Sequence, residues 1–262
     1  MIRYNLNSRQ NQLQSINRLL DIMDDLRAKC PWDKKQTLES LRHLTIEEVY
    51  ELGDAILEGN MDEIKKELGD LLLHMVFYAK IGSETGDFDI GSVAESISDK
   101  LVERHPHIYG DFVAADEMAV KQNWEKLKLK EGKKSVLEGV PKSLPALVKA
   151  SRIQEKVAGV GFDWKRVEEV KEKLHEELRE FDAEVQSGNQ QLIEEEFGDV
   201  LFSMINYARF LSINPENALE KTNKKFMRRF QFIESKATSE GKSISDLSLE
   251  EMEHYWQMAK KS

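Results

Sequence analysis

Residues 47–80, EEVYELGDAILEGNMDEIKKELGDLLLHMVFYAK, decide the fold, because residues 176–209, EELREFDAEVQSGNQQLIEEEFGDVLFSMINYAR, repeat them. The two stretches align without a gap at an offset of 129, and 13 of the 34 positions are identical. In each stretch, apolar residues recur three and four apart around a central Gly-Asn pair, which is typical of two helices separated by a helix C-cap. Because the connection is short, the two helices should pack antiparallel. The sequence therefore predicts an all-α chain that contains one helical hairpin twice.

The similarity continues more weakly on both sides of these stretches, so the two halves are predicted to be one type of helical-bundle domain used in tandem. The 262 residues allow one large domain or two of about 130. The joint falls near residues 130–134, and Gly139, Pro141 and Pro145 follow it before the helical pattern resumes. We expect an N-terminal domain over residues 1–132 and a C-terminal domain over residues 133–262.

Charge and composition restrict the partners and the location of the chain. The net charge is −10, and an acidic protein is poorly suited to bind nucleic acid or an anionic membrane through its overall field. Cys30 is the single cysteine, so no intrachain disulfide can form, which fits a reducing compartment. The longest apolar stretch, residues 71–81, is interrupted by His74 and Lys80 and is too short to span a bilayer. We expect a cytoplasmic protein that binds neither nucleic acid nor membranes.

Each hairpin carries Glu-x-x-Glu on its first helix and Glu-x-x-Asp on its second. The residues are Glu48, Glu51, Glu67 and Asp70 in the first repeat, and Glu177, Glu180, Glu196 and Asp199 in the second. Residues three apart share a helix face, so an antiparallel hairpin can bring four carboxylates together, where they repel one another unless a cation neutralises them. Oxygen ligands suit Mg²⁺, Mn²⁺ or Ca²⁺ better than Zn²⁺. A single acidic pair usually lies on a solvated helix face, but the exact recurrence of all four positions favours two metal sites.

The glycines beside these carboxylates, Gly69 and Gly198, are predicted to lie inside helices, where glycine costs about 1 kcal/mol against alanine. Close packing of two helices is the interpretation that we prefer for both. Room for a ligand beside the carboxylates is the functional alternative.

A basic cluster follows in the second repeat, where Lys225, Arg228 and Arg229 lie near one face of a predicted helix that also contains Asn223. Such a cluster could neutralise phosphate groups, although charge runs are usually solvated surface, and both interpretations stay open. Trp256 could stack on a nucleobase, or it could pack in a core or a dimer contact.

Several motifs together resemble one known family. They are the duplicated carboxylate pattern, Cys30-Pro31-Trp32-Asp33, Arg104-His105-Pro106-His107, Val160-Gly161-Phe162-Asp163-Trp164 and Lys225-Phe226-Met227-Arg228-Arg229-Phe230. In this combination the chain resembles the MazG nucleoside triphosphate pyrophosphohydrolases in their two-repeat form, over nearly its whole length. The resemblance implies an all-α fold, an intertwined homodimer, and Mg²⁺-dependent cleavage of NTPs and dNTPs between the α- and β-phosphates.

The resemblance also implies that catalysis falls mainly on the C-terminal repeat. We then expect Glu177, Glu180, Glu196 and Asp199 to hold Mg²⁺, or Mn²⁺ in its place, with Glu180 as a candidate general base. Lys173, Lys225, Arg228 and Arg229 are expected to offset the charge of the phosphates, with Asn223 and Trp256 completing the nucleotide site. The N-terminal set from Glu48 to Asp70 is expected to be a second, auxiliary metal site. The alternative is a non-catalytic dimeric helical module whose carboxylates bind a structural cation, which predicts metal-dependent stability without turnover.

Overall fold

The structure is a computed structural model that describes residues 8–110 and 135–261. The chain divides into two compact units, residues 1–113 and 114–262, and each is described by itself. The described residues are helical and contain no strand, which confirms the predicted fold class. The predicted domain boundary between residues 132 and 133 lies outside the described residues and stays a prediction.

In its described residues, the N-terminal unit is built from five helices around one apolar core. The helices are α1 (Arg9–Lys29), α2 (Leu38–Glu58), α3 (Met61–Thr85), α4 (Ile90–Arg104) and α5 (Pro106–Tyr109), with a 3₁₀ turn at Asp33–Lys35. The buried side chains of Met23, Leu41, Val76 and Phe77 join α1 and α2 to the apolar face of α3. This core fixes the α2–α3 hairpin, which carries the first carboxylate set.

The hairpin turn forms as the Gly-Asn pair predicts. Gly59 ends α2 with a φ of 69°, a left-handed conformation that glycine adopts without steric cost. The side chain of Asn60 then accepts hydrogen bonds from the backbone N–H groups of Asp62 and Glu63 and caps the start of α3. The aligned sequence stretch begins at Glu47, but α2 begins nine residues earlier, at Leu38, after an N-cap at Thr37.

The C-terminal unit repeats this hairpin and adds a second helical pair. Within residues 135–261, its helices are α6 (Ala146–Ala158), α7 (Val167–Ser187), α8 (Gln190–Phe210), α9 (Pro215–Ser239) and α10 (Leu249–Ala259), with a 3₁₀ turn at Ile244–Asp246. Gly188 ends α7 with a φ of 76°, and Asn189 caps α8 as Asn60 caps α3. Ile233, Ala237, Leu247 and Tyr255 form a separate core between α9 and α10. The duplicated hairpin is therefore confirmed as tandem helical repeats.

One expectation about packing is wrong for a single chain. An added Cβ at Gly69 or at Gly198 would meet no atom within 4 Å, so neither glycine serves a close helix contact in the described structure. In the apolar run after Asp199, Val200 is buried, whereas Leu201 and Phe202 are 44% and 41% exposed. Apolar periodicity identified the helices correctly, but it does not say whether an apolar face is covered within one chain. Within the described residues, no helix is both long and apolar enough to cross a membrane.

Candidate metal centre

Each hairpin brings three carboxylates close enough to share one cation. In the N-terminal unit these are Glu48, Glu67 and Asp70, called here the N-terminal trio, and each offers an oxygen within 4.8 Å of the others. In the C-terminal unit, Glu177, Glu196 and Asp199 form the C-terminal trio within the same distance. The first helix of each hairpin supplies one carboxylate and the second supplies two. The predicted spacing thus produces the same arrangement twice.

Glu51 and Glu180, the remaining predicted ligands, lie beside the trios rather than in them. Both side chains are exposed, and each is one turn beyond the trio member on the first helix of its hairpin. The negative charge of Glu51 acts on Glu48, and that of Glu180 acts on Glu196, so both remain near neighbours. Their roles as ligands or bases stay predictions.

Burial and mutual repulsion disfavour the ionised form of carboxylates in both trios. Burial raises the pKa of Glu48, and the charges of Asp70, Glu51 and Glu67 raise it further. The pKa of Glu196 is raised for the same reasons, first by desolvation and then by Glu180, Asp199 and Glu177. A divalent cation relieves this repulsion, because it favours the ionised form of every carboxylate around it.

One lysine contacts the most buried carboxylate of each trio. Lys66 Nζ lies 2.9 Å from Glu67 Oε1 in the N-terminal unit, and Lys173 Nζ lies 2.8 Å from Glu177 Oε1 in the C-terminal unit. Lys173 also pairs with Glu176, and the hydrogen bonds that its ammonium group donates to these two carboxylates raise the pKa of Lys173. Lys173, predicted to act on phosphates, is therefore placed at the carboxylate cluster.

The buried carboxylate of the N-terminal trio retains an unsatisfied oxygen. Glu67 is 3% exposed, and its Oε2 has no hydrogen-bond partner among the described residues. A buried carboxylate oxygen without a partner is unfavourable unless a cation or a donor reaches it. The donor set of this trio thus fits a hard divalent cation, as the donor set of the C-terminal trio does.

A buried polar cluster distinguishes the N-terminal hairpin and was missed by the sequence interpretation. Thr45 Oγ1 lies 2.8 Å from His74 Nδ1 and 2.6 Å from the hydroxyl of Tyr78. Burial lowers the pKa of His74, which favours the neutral ring. The aligned C-terminal residues at the first two positions are Leu174 and Ser203, so the cluster belongs to one repeat. The two hairpins therefore have equivalent carboxylates, but they differ at the aligned positions of this polar cluster.

The other predicted phosphate and base contacts lie on α9 and α10. The guanidinium of Arg229 lies over the ring of Trp256, 5.5 Å from its centroid. The ring of Phe226 packs against the same indole, with 5.1 Å between the two ring centroids. Lys225 and Arg228 are exposed and form no ion pair within the described part of the chain. Asn223 donates a hydrogen bond to Glu220 Oε2 at 3.2 Å. No described hydrogen bond or ion pair joins these predicted nucleotide contacts to the C-terminal trio.

The fold and the site define an all-α protein with tandem helical hairpins, each presenting a carboxylate cluster suited to a divalent cation. The MazG nucleotide pyrophosphohydrolase domain matches residues 36–109 and 165–231, more than half of the chain, and the chain belongs to this family. The two matched segments each include one complete hairpin.

Full-length relatives agree with this assignment. The chain is 42% identical to the nucleoside triphosphate pyrophosphohydrolase of Escherichia coli (strain K12), covering 95% of this chain and 98% of the relative. It is 45% identical to the nucleoside triphosphate pyrophosphohydrolase/pyrophosphatase MazG of Thermotoga maritima, covering 92% and 94%. It is also 48% identical to the uncharacterized protein YabN of Bacillus subtilis, covering 89% of this chain but 48% of that protein.

Proposed function

We propose that the chain is a nucleoside triphosphate pyrophosphohydrolase, a hydrolase that acts on the acid anhydride bonds of its substrate. Water would cleave NTPs and dNTPs between the α- and β-phosphates and release a nucleoside monophosphate and pyrophosphate. The observation that carries this proposal is the C-terminal trio, in a chain of the MazG family whose full-length relatives bear this name. Glu177, Glu196 and Asp199 are its proposed centre.

We propose that the C-terminal trio holds Mg²⁺, with Mn²⁺ as a substitute, because its donors are carboxylate oxygens only. When bound, such a cation supplies Lewis-acid polarisation of phosphate oxygens and lowers the pKa of coordinated water. Glu177, Glu196 and Asp199 would hold the cation from two helices whose relative position is fixed by the α7–α8 hairpin.

Glu180 is the proposed general base. It lies one turn beyond Glu177 on α7, is exposed, and is near enough to act electrostatically on Glu196. A carboxylate in this position can accept a proton from the attacking water without being a ligand itself. In this role Glu180 differs from the members of the trio, beside which it lies.

We propose that basic residues balance the charge of the triphosphate. Lys173 already lies at the trio, where it can move from Glu177 to a phosphate oxygen when a cation neutralises the carboxylates. Lys225, Arg228 and Arg229 would contact the remaining phosphates, with Asn223 beside them. Trp256 holds the guanidinium of Arg229 through a cation–π contact, and its predicted stacking on the base stays a prediction.

The N-terminal trio is proposed to be an auxiliary cation site. It has the same oxygen donors and an unsatisfied Glu67 Oε2, but its repeat offers a sparser set of basic residues for phosphates. We propose that a cation there stabilises the α2–α3 hairpin instead of participating in hydrolysis.

A homodimer is also proposed, because the C-terminal hairpin exposes a series of large apolar side chains that a second copy could cover. These include Leu178, Val185, Leu192, Phe197, Leu201, Phe202 and Met204. Exposed apolar area of this extent on one pair of helices is typical of an interface. The cytoplasmic location and the absence of nucleic-acid and membrane partners stay predictions.

The decisive experiment incubates the purified chain with each NTP and dNTP, with and without Mg²⁺, and identifies the phosphorus products. We expect nucleoside monophosphate and pyrophosphate in the presence of Mg²⁺ only. Glu180→Gln and Asp199→Asn should each lower turnover at least a hundredfold, whereas Glu194→Gln, an exposed change on α8, should not.

Other products would contradict parts of the proposal. Orthophosphate with nucleoside diphosphate would refute the assigned bond. Loss of turnover in Glu51→Gln and Asp70→Asn, with Asp199→Asn still active, would assign catalysis to the N-terminal repeat. Metal-dependent stability without turnover of any nucleotide would favour the non-catalytic module.

A further inference from the structure

The two repeats carry opposite charges on the helical turn that leads into each trio. Residues 65–66 of α3 are both lysine, whereas the aligned residues 194–195 of α8 are both glutamate. All four residues are exposed, and each pair directly precedes a trio member, Glu67 or Glu196. The two trios thus have equivalent carboxylates, but the adjacent pair contributes two positive charges in one repeat and two negative charges in the other.

Lys66 of this pair contacts the N-terminal trio. Its Nζ lies 2.9 Å from Glu67 Oε1, and the side chains of Lys66 and Glu67 are 62% and 4% exposed. A mostly solvated lysine therefore carries its ammonium group to a buried carboxylate. The negative charges of Glu63 and Glu51 also act on this ammonium group. Lys66 thus already supplies positive charge to the cluster that a divalent cation would neutralise.

The single charge of Lys66 is too small to satisfy the N-terminal trio. The trio brings three carboxylates within 4.8 Å of one another, and Glu67 Oε2 has no hydrogen-bond partner among the described residues. A divalent cation would therefore still be attracted, but it would share Glu67 with the ammonium group. Two cations on one carboxylate repel each other, and salt screens poorly at separations below the Debye length of about 8 Å.

Lys173 at the C-terminal trio differs because it has a second partner close by. Its Nζ lies 2.6 Å from Glu176 Oε1 as well as 2.8 Å from Glu177 Oε1. The second ion pair of Lys66, with Glu63, is 3.9 Å long. Lys173 can therefore leave its trio for Glu176 at a smaller loss than Lys66 would incur. The competing positive charge is thus held more firmly at the N-terminal trio.

An ordinary surface ion pair is the alternative interpretation of the Lys66 contact. Exposed pairs contribute little to stability, because both partners are well solvated. Here only the lysine is solvated, and its removal would leave the buried carboxylate of Glu67 without compensation, which is unfavourable. The contact is therefore expected to matter in the metal-free chain, in contrast to an exposed pair.

We propose that Lys66 is the resident counter-ion of the N-terminal trio and that it competes there with the divalent cation. This inference rests on the auxiliary cation site of the proposed function and adds the regulation of that site. The N-terminal trio then binds Mg²⁺ or Mn²⁺ more weakly than the C-terminal trio and fills only at a higher metal concentration. Without metal, Lys66 stabilises the α2–α3 hairpin, and bound metal takes over this role.

The test measures Mn²⁺ binding to the full chain from the electron paramagnetic resonance signal of the free ion, in about 0.15 M KCl. All samples carry Asp199→Asn, which weakens the C-terminal trio, so the N-terminal trio dominates the binding. Lys66→Gln should lower the Kd for Mn²⁺ about tenfold, as loss of one competing charged contact would cause. Adding Asp70→Asn should remove this gain, which assigns it to the N-terminal trio.

Two controls separate the charge at the contact from other effects. Lys65→Gln removes the same charge from the adjacent exposed residue and should change the Kd by less than about twofold. Lys66→Arg retains the charge and should keep the Kd of the unsubstituted lysine. Differential scanning calorimetry verifies that each variant folds. In metal-free buffer Lys66→Gln should lower the unfolding midpoint, and saturating Mn²⁺ should remove this deficit.

A reciprocal change tests the inference without removing any lysine. In a chain that carries Asp70→Asn, Glu195→Lys places a lysine next to Glu196, the position that Lys66 has in the other repeat. It should raise the Kd of the C-terminal trio for Mn²⁺ about tenfold. Glu194→Lys adds the same charge at the other position of the pair and should have a smaller effect.

Three results would overturn the proposal. The first is an unchanged Kd in a folded Lys66→Gln chain or, where that variant does not fold, an unchanged Kd in Glu195→Lys. The second is equal tightening in Lys65→Gln and Lys66→Gln, which would indicate a diffuse effect of charge. The third is equal tightening in Lys66→Arg and Lys66→Gln, which would indicate that the shape of the side chain matters and its charge does not.

The same titrations distinguish this inference from the proposed function. Asp70-dependent Mn²⁺ binding that is equal with and without Lys66→Gln supports the auxiliary cation site and refutes the competition. Asp70-dependent binding that appears only with Lys66→Gln supports the competition and refutes an auxiliary cation in the unmodified chain. Absence of Asp70-dependent binding in both chains refutes both. Pyrophosphate release is measured separately and tests the proposed activity alone.

Discussion

Two glycines of the C-terminal hairpin should respond to alanine with opposite signs, although an added Cβ would meet no atom within 4 Å at either position. Gly198 lies inside α8, whereas Gly188 ends α7 with a φ of 76°. Because neither methyl group gains or loses a contact, the backbone conformation alone determines the effect. The comparison therefore separates the conformational preference of the backbone from side-chain packing.

Gly198→Ala should increase the free energy of unfolding by about 1 kcal/mol, the difference between glycine and alanine in a helix interior. For a unit of this size the gain corresponds to roughly 2–4 °C in the unfolding midpoint. Gly188→Ala should lower the free energy of unfolding by roughly 1–2 kcal/mol, because a Cβ is disfavoured in the left-handed conformation. Pyrophosphate release should be unchanged in Gly198→Ala, since its Cβ is directed about 100° around the helix from Asp199.

Urea unfolding followed by circular dichroism, in metal-free buffer at constant pH, measures both variants against the unmodified chain. A destabilised Gly198→Ala would refute the reasoning, because it would mean that something other than this chain covers the position. Repeating the measurement over a range of protein concentrations would then show whether a second copy provides the covering surface, as the proposed homodimer requires.

Two further predictions concern protons and metal. The hydrogen bonds from Lys242 and from the Ser248 backbone lower the pKa of Glu251 from 4.5 to about 2, so its stabilising contribution is present above pH 4.5 and is lost as the pH falls towards 2. Urea unfolding between pH 2 and 6 should show a smaller loss of stability in Glu251→Gln than in the unmodified chain, and an identical pH profile would contradict this interpretation. Mg²⁺ at about a hundred times its Kd should raise the unfolding midpoint by roughly 5–10 °C in differential scanning calorimetry. This increase should be smaller in Asp199→Asn, and an undiminished increase would mean that the C-terminal trio does not bind the metal.

The fold could be predicted largely because its signals are local. The Gly-Asn pairs at 59–60 and 188–189 end one helix and cap the next, and apolar spacing identifies both helices of each hairpin. The start of α2 at Leu38, after the Thr37 cap, was missed because the gap-free alignment of the two repeats begins only at Glu47. Gly69 and Gly198 were misinterpreted because sequence does not show which helix faces another helix.

The candidate site could be predicted only in part. Spacing of three residues placed Glu196 and Asp199 on one face of α8, and the short hairpin brought Glu177 to them. Spacing does not specify which carboxylate is most buried or that Lys173 pairs with it, because both depend on tertiary packing. The cavity of about 500 Å³ between α6 and α8 was missed, since its walls come from helices that are far apart in sequence.

The exchange of a core phenylalanine for Asn206 also bears on the lifetime of the protein. We expect local opening to be easier beside Asn206, which lines a cavity of about 500 Å³, than at the aligned position of the N-terminal unit, which is packed with Phe77. Any ligand that fills the space opposes this opening by mass action, so the susceptibility of this unit to proteases should track the concentration of its ligand. The lifetime of the polypeptide would then follow the supply of whatever fills this space.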